Sequence, residues 1–327
     1  MFKKVIVLLF MFSLAVTAQE KKFNILDFYP IDNSHSYIDF SIKYMGYANV
    51  KGRFEKFSGL FKYDEHDITK TSISLSIVAN SIDTDNDRRD KDLKSENWFE
   101  SEKFSSLTFV STKSRKTNTG FEIIGDLTIK GITKEIVIKM NPASGVLKDI
   151  RGDSQVIISG ETVINRTDFG VEGKNWSAIK EGITGVGDEV KIEVSILGKQ
   201  VNLANLKSWV SNETKAPGKI YKEIINNDIE QGLKLFDEML LDTDTKLNSN
   251  TLNINGRILL KEGKIKEALE VFEKNIKTYP NDYRVYNSYA EALAVSGNLT
   301  EAKKYYKKAL KINSNNQIAI EILRHLE

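Results

Sequence analysis

The chain has no cysteine and only three histidines, His35, His66 and His325, widely separated in 327 residues. This excludes a disulfide framework, a thiolate metal site, a cysteine nucleophile and a lipid-modified cysteine, and it leaves no histidine cluster for a transition-metal centre. Stability must come from packing. An excess of one charge is also lacking: 47 basic against 45 acidic residues leave a formal charge of +2, which offers no basic footprint for nucleic acid. No Gly-x-Ser-x-Gly elbow occurs, Gly185-Val186-Gly187 lacks the third glycine of a dinucleotide fingerprint, and no carboxylate pair stands out by spacing. The expectation is a protein that is not an enzyme and needs no cofactor or metal.

Long apolar runs are confined to the start. Lys3 and Lys4 precede the uncharged stretch Val5 to Ala15, and Val16-Thr17-Ala18 supplies small residues before Gln19. This reads as a secretory signal peptide over residues 1–18, which places the protein in the periplasm or outside the cell. Nothing later approaches about 18 consecutive apolar residues, so the mature chain is expected without stable membrane insertion.

From about Ile31 to Gly198, short segments alternate apolar and polar residues. Successive strand side chains point to opposite faces, so Ile38, Phe40, Ile42 and Tyr44 would share one face and Tyr37, Asp39, Ser41 and Lys43 the other. Similar runs are Thr71 to Val78, Leu107 to Ser111, Phe121 to Ile129, Glu135 to Met140, Gln155 to Ser159 and Glu189 to Ile196. Thr117-Asn118-Thr119-Gly120 has the chemistry of a hairpin connection, because Asn and Gly tolerate positive φ. Many short strands separated by turns point to an antiparallel barrel or sandwich. Asp87 to Phe99, rich in charge, reads as a short helix or long loop across the rim.

Past Val201 the apolar period changes from two to about 3.6, which marks a second domain. The domains expected are 19–200 and 219–327, joined by a linker over 201–218 in which Ala216-Pro217-Gly218 is a breaker cluster and Leu203 to Val210 a connecting helix. Their apolar sets look separate, so the first should fold without the second. Gly263, Ala268 and Phe272 recur as Gly297, Ala302 and Tyr306, each displaced by 34 residues, the tetratricopeptide period. Gly232 and Phe236 suggest a degenerate earlier repeat, and Asn316 to Leu326 a capping helix.

Three stretches of the strand-rich region carry a specific pattern. The first is His35-Ser36, then Ile38, Phe40, Ser41, Gly46, Val50, Gly52, Phe54, Phe57 and Gly59. The second runs through Ala79 to Thr84, Arg89-Asp90, Leu93, Ser95, Phe99, Phe104 and Thr108-Phe109 to Ser111. The third joins Gly125 to Thr128, Gly131, Thr133-Lys134, Ile164 to Arg166, Asp168 to Gly170 and Gly187 to Val190. Together they resemble the YceI family of extracytoplasmic proteins. The resemblance implies a lipocalin-like antiparallel β-barrel whose tunnel holds a polyisoprenoid or similar long-chain fatty amphiphile. The chain departs from the family at Tyr44 and Asp92, where the family often has histidine. Arg89, Asp90, Asn165, Arg166 and Asp168 match it and read as a network pinning rim loops.

Candidate lining residues are Phe40, Ile42, Tyr44, Phe54, Phe57, Phe61, Phe99, Phe104, Phe109, Leu127 and Phe169. Eight strands leave an interior that side chains can fill or that can hold one small ligand, so the same residues suit a packed core. An isoprenoid would gain roughly 0.8 kcal/mol per buried carbon, a non-directional term that selects by length and width. The alternative is a structural or scaffolding protein with a self-filled barrel. Residues 249–313 resemble tetratricopeptide repeats, whose inner groove would present Asn250, Asn253, Arg257, Lys261, Arg284, Asn287 and Glu291 to a protein or peptide partner.

Overall fold

The computed structural model describes residues 27–173, 179–180 and 183–326. The leader read in residues 1–18 lies outside the described residues. The strands are β1 (Phe28–Pro30), β2 (Tyr37–Tyr44), β3 (Ala48–Phe54), β4 (Phe57–Lys62), β5 (Ser72–Val78), β6 (Ile82–Asp83), β7 (Ser106–Lys116), β8 (Phe121–Ile129), β9 (Ile132–Met140), β10 (Leu147–Lys148), β11 (Ser154–Asn165), β12 (Ile179–Lys180), β13 (Ile183–Thr184) and β14 (Val186–Gln200). Helix α1 (Asp87–Lys94) falls between β6 and β7, where the charge-rich segment was expected to cross the rim. After the last strand come α2 (Leu203–Val210), α3 (Ala216–Asn226), α4 (Ile229–Leu241), α5 (Ser249–Lys261), α6 (Ile265–Thr278), α7 (Tyr283–Val295), α8 (Leu299–Ile312) and α9 (Gln317–Leu326).

One antiparallel sheet runs in the order β1-β4-β5-β7-β8-β9-β11-β14-β2-β3-β6, with β10 beside β11. It curls until β14 serves two neighbours. Residues 186–195 of that strand pair with β2, while at its far end Gly198 bridges Ile31 and Leu197 accepts from the Asp32 amide at 2.8 Å. The far end is thus a ring in which β1 closes β4 onto β14, and β2, β3 and β6 form a flap over the other end. Close approach at the closure demands glycine: a Cβ on Gly198 would stand 2.2 Å from the Phe61 ring and 2.6 Å from Tyr29 Cβ.

The helices α3 to α8 form three antiparallel pairs, and α9 covers the last. The 34-residue repeat is visible in their packing: Ala268 and Ala302, like Phe272 and Tyr306, are buried at the pair interfaces, and Gly263 and Gly297 both end their helices with positive φ. Within residues 201–218 the connecting helix forms as expected over Leu203–Val210, but it packs into the helical domain and the breaker cluster behaves differently. Leu206 and Val210 of α2 are buried against Tyr221 and Ile258, and Pro217 lies in the first turn of α3, where its missing N–H costs nothing. The breaker cluster opens a helix.

Nor are the apolar sets separate. Phe28 and Leu60 of the sheet share a cluster with Leu293, Tyr306, Ile322 and Leu323. Beside it Glu321, 0% exposed, accepts from the Ser72 and Ser74 hydroxyls at 2.5 and 2.6 Å and from Arg324 at 2.8 Å, with His325 Nε2 at 3.1 Å. Burial alone would raise this carboxyl, but the His325, Ser72 and Ser74 hydrogen bonds and the Arg324 charge outweigh it and hold the group below its ordinary 4.5. A carboxyl depressed on folding stabilises fully above its unfolded value and loses that contribution as pH falls through the lower folded one. Glu321→Ala, which strips the buried serines and Arg324 of their acceptor, should cost roughly 3–5 kcal/mol in urea unfolding. Glu321→Gln should flatten the acid limb of stability below pH 4.5, and an unchanged limb would contradict this assignment.

Candidate functional site

The inward side chains divide the barrel in two along its axis. At the closed end Tyr29, Phe61, Ile73, Phe121, Ile123, Met140, Val156, Ile158 and Ile196 pack into a solid plug. Tyr29 stacks on Phe61 with ring centroids 5.6 Å apart. Toward the flap the same strands turn aliphatic residues inward, and a cavity of about 730 Å³ opens between Leu75 and Ile77 of β5, Leu107 and Phe109 of β7, Leu127 and Ile129 of β8, Ile136 and Ile138 of β9, Ile164 of β11, and Val190, Ile192 and Val194 of β14. Its volume lies in the usual range of ligand sites, about 300–1,000 Å³.

The flap completes the wall. Ile38, Phe40, Ile42 and Tyr44 all face the cavity from β2, as the period-two reading required. Phe54 of β3 touches both Phe40 and Phe99, each with a centroid separation of 5.9 Å. Above these aromatics the lining becomes polar. Asn86, Arg88, Arg89 and Asp92 border the cavity, and Asn86, Arg88 and Tyr44 are solvent-exposed, so the mouth lies between α1 and the end of β2.

Rim loops are pinned by buried charge. Asp90 accepts from the Thr84 amide and hydroxyl at 3.0 and 2.5 Å, and Arg89 donates to the Thr84 hydroxyl and carbonyl at 2.7 and 2.6 Å. Arg166, 4% exposed, donates to the Val171, Glu172, Gly187 and Val186 carbonyls at 2.6, 2.6, 2.8 and 3.3 Å and to Asp188 at 2.8 Å. Its guanidinium lies 5.3 Å from the Trp98 ring centroid. Burial pulls the Arg166 pKa down while Asp188 and Glu172 oppose it; guanidinium keeps its charge in proteins, and here five donors are matched to fixed acceptors. Asn165 caps the same turn through the Thr167 amide, whereas Asp168 makes a surface pair with Lys134 at 3.5 Å. These residues hold structure at the rim, and among the described residues no group of His, Asp and Glu side chains is disposed to hold a metal.

Seven of the eleven lining candidates meet at the cavity: Phe40, Ile42, Tyr44, Phe54, Phe99, Phe109 and Leu127. Phe57, Phe61, Phe104 and Phe169 do not border it. Phe57 is core at the start of β4 and Phe61 belongs to the plug. Phe104 lies under the β8–β9 turn, near Gly131, and Phe169 is buried in the turn that Arg166 opens. The aliphatic wall of β5, β9, β11 and β14 was missed although alternation marked it, because aromatic abundance drew the selection. Trp98 was also missed.

On the repeat domain the expected groove residues are only partly free. Arg284 is held by Asp282 at 2.7 Å, and Asn287 exchanges amide hydrogen bonds with Asn316 at 3.1 and 2.8 Å. Asn250 is exposed, and Asn253 and Arg257 are half-buried. Lys261 sits where surrounding protein and then Arg257 lower its pKa, against the pull of Glu291 and of Asp153. Asp153 belongs to the β10–β11 turn, where the Asn202 amide and the Asn205 side chain donate to it.

Comparison with known proteins locates both halves. The YceI-like domain profile matches residues 29–197 and the tetratricopeptide repeat profile residues 259–324. A UPF0312 protein of Vibrio cholerae is 33% identical over 175 residues, spanning 53% of this chain and 87% of that protein. Among solved structures, Burkholderia cenocepacia BcnA matches with a TM-score of 0.45 at 23% identity, over 51% of this chain and 98% of its own. A polyisoprenoid binding domain from Saccharophagus degradans, implicated in plant cell wall breakdown, matches with a TM-score of 0.40 at 15% identity, over 53% and 98%.

The division of the barrel interior yields a stability contrast. Ile158→Ala in the plug should cost about 2–5 kcal/mol, because its neighbours cannot collapse into the gap. Ile192→Ala in the wall already faces open space and has fewer packed atoms to lose, so its cost should lie at or below the bottom of that range. Thermal unfolding of both variants checks this, and equal costs would mean that the cavity is absent in solution.

Proposed function

The chain belongs to the YceI-like domain family, and from that premise we propose that it is an exported lipid-binding protein whose hollow half-barrel carries or senses a polyisoprenoid or similar long-chain amphiphile. The observation that supports this reading most is the abrupt change along single strands from plug to void. On β8, Phe121 and Ile123 fill the interior while Leu127 and Ile129 line open space. A protein that needed only a stable barrel would gain by filling that space, since an unfilled apolar cavity costs stability roughly in proportion to its volume. The wall offers an amphiphile's tail a continuous apolar surface, and the polar mouth suits its head.

The reading is of a binding module rather than an enzyme: Arg89, Asp90 and Arg166 at the rim are committed to hydrogen bonds that hold its loops, and the wall is apolar. The repeat domain supplies a surface for a protein partner, for which Asn250, Asn253, Arg257 and Lys261 remain the groups to consider. Export into the periplasm or the medium follows the leader read in residues 1–18. Among the described residues no helix is long and apolar enough to cross a membrane.

Native mass spectrometry with organic extraction, on protein purified from its natural host, should reveal a long-chain lipid released stoichiometrically. Val190→Phe projects bulk into the void and should abolish that lipid while leaving the thermal midpoint within a few degrees of the parent. Parent protein that yields no lipid, with Val190→Phe no less stable, would favour the scaffolding alternative.

A further inference from the structure

Two hairpin turns stand at the mouth end of the barrel, Met45-Gly46 between β2 and β3 and Lys130-Gly131 between β8 and β9, and each sets a long side chain at positive φ ahead of a glycine. The Tyr47 amide donates to the Tyr44 carbonyl at 3.2 Å, and both intervening residues have positive φ, Met45 at 51° and Gly46 at 74°. Such turns favour Asn-Gly or Asp-Gly, because a long side chain in the left-handed region is strained. Here the strained position is held by methionine. Tyr47 is 84% exposed, Met45 46% and Tyr44 37%, so an aromatic, sulfur-bearing tip projects into solvent beside the cavity entrance. By contrast the turn at the opposite end, Thr117-Asn118-Thr119-Gly120, is polar throughout. The Lys130 ammonium is tied back to the Gly170 carbonyl at 2.9 Å, whereas the Met45 side chain at the equivalent position is turned to solvent, a local conflict of the kind expected at functional or strained sites.

Resting on the lipid-binding reading, we propose that this tip docks on a lipid bilayer and seats the mouth against it. Ile38, Phe40, Ile42 and Tyr44 of β2 line the cavity and Tyr44 belongs to the tip, so along this one strand, opposite the polar α1 side of the mouth, the apolar wall runs onto the projecting surface. An amphiphile leaving a membrane could follow that path without exposing its tail to water. Amphipathic aromatic rings sit favourably at the head-group level. Lys43, exposed next to the tip, has a stem long enough to keep its ammonium among the head groups. The Ile132 side chain, exposed at the β8–β9 turn, adds a second apolar point at the same end. The helical domain leaves this end open, because its contacts fall on β1, the outer face of β4, β5 and β7, and the β10–β11 turn.

The test uses flotation of the full chain with vesicles of phosphatidylethanolamine and phosphatidylglycerol, together with lipid extraction and thermal unfolding of the same samples. Parent protein should float. Met45→Asn/Tyr47→Ser should partition about tenfold less yet retain extracted lipid and melt no lower, since asparagine suits the turn better than methionine. Ile150→Ser, which removes a still more exposed apolar side chain at the far end, should float as the parent does. Tyr47→Trp should be quenched by brominated lipid and Ile150→Trp should not. Parent protein that fails to float, or a tip variant that floats unchanged, overturns the docking proposal. Loss of extracted lipid in the parent would instead overturn the binding reading beneath it.

Discussion

An eight-strand ring encloses an interior that its side chains can either fill or leave able to hold one small ligand. The rest of this structure depends on how the sequence divides those two outcomes along each strand. Tyr29, Phe61, Phe121 and Met140 meet at the closed end and exclude space. Val190, Ile192 and Val194 on β14, facing Leu75, Ile77 and Ile138, fall short of one another and leave it. The plug therefore provides the packed interior that folding requires, and the remaining length of each strand is free to serve a ligand.

The hollow half needs support that packing does not provide, and buried charge provides it. The donors of Arg166 join the 166–173 turn to the start of β14, while its face packs on Trp98. Thr84, Arg89 and Asp90 similarly lock α1 to the end of β6. Charge-assisted bonds have directions, unlike apolar contacts. They can hold a rim in place over an interior that does not push back.

Much of this was legible in the sequence, and the failures have physical causes. Alternation alone placed Ile38, Phe40, Ile42 and Tyr44 on one face, since a strand bound to a curled sheet has only two faces to offer. Alternation says which face a residue takes but not how far along the axis it sits, so plug and wall could not be separated; Phe61 and Phe109 read alike. The helical repeats were legible from the 34-residue displacement because Gly263 and Gly297 each answer the same demand for positive φ. The connecting helix over Leu203 to Val210 was legible, but Ala216-Pro217-Gly218 was misjudged because proline and glycine mark helix starts as well as breaks.

The least legible feature was the joint between the domains. In β5 the sequence Ser-Ile-Ser-Leu-Ser-Ile reads as one apolar face and one solvated face, yet every residue from Ser72 to Ile77 is buried. Serine is small enough to let α9 approach the sheet, and its hydroxyl then needs an acceptor, which Glu321 supplies from 249 residues away in the case of Ser72. Neither partner advertises the other, because a serine face beside water and a serine face beneath a helix have the same composition. One strand thus carries plug at Ile73, cavity wall at Leu75 and Ile77, and domain joint at Ser72 and Ser74. A displacement of β5 on either side must be felt on the other, since close-packed interiors transmit strain rather than absorb it. The helical domain consequently backs the barrel's wall from outside, and it is anchored to the same strand that shapes the cavity.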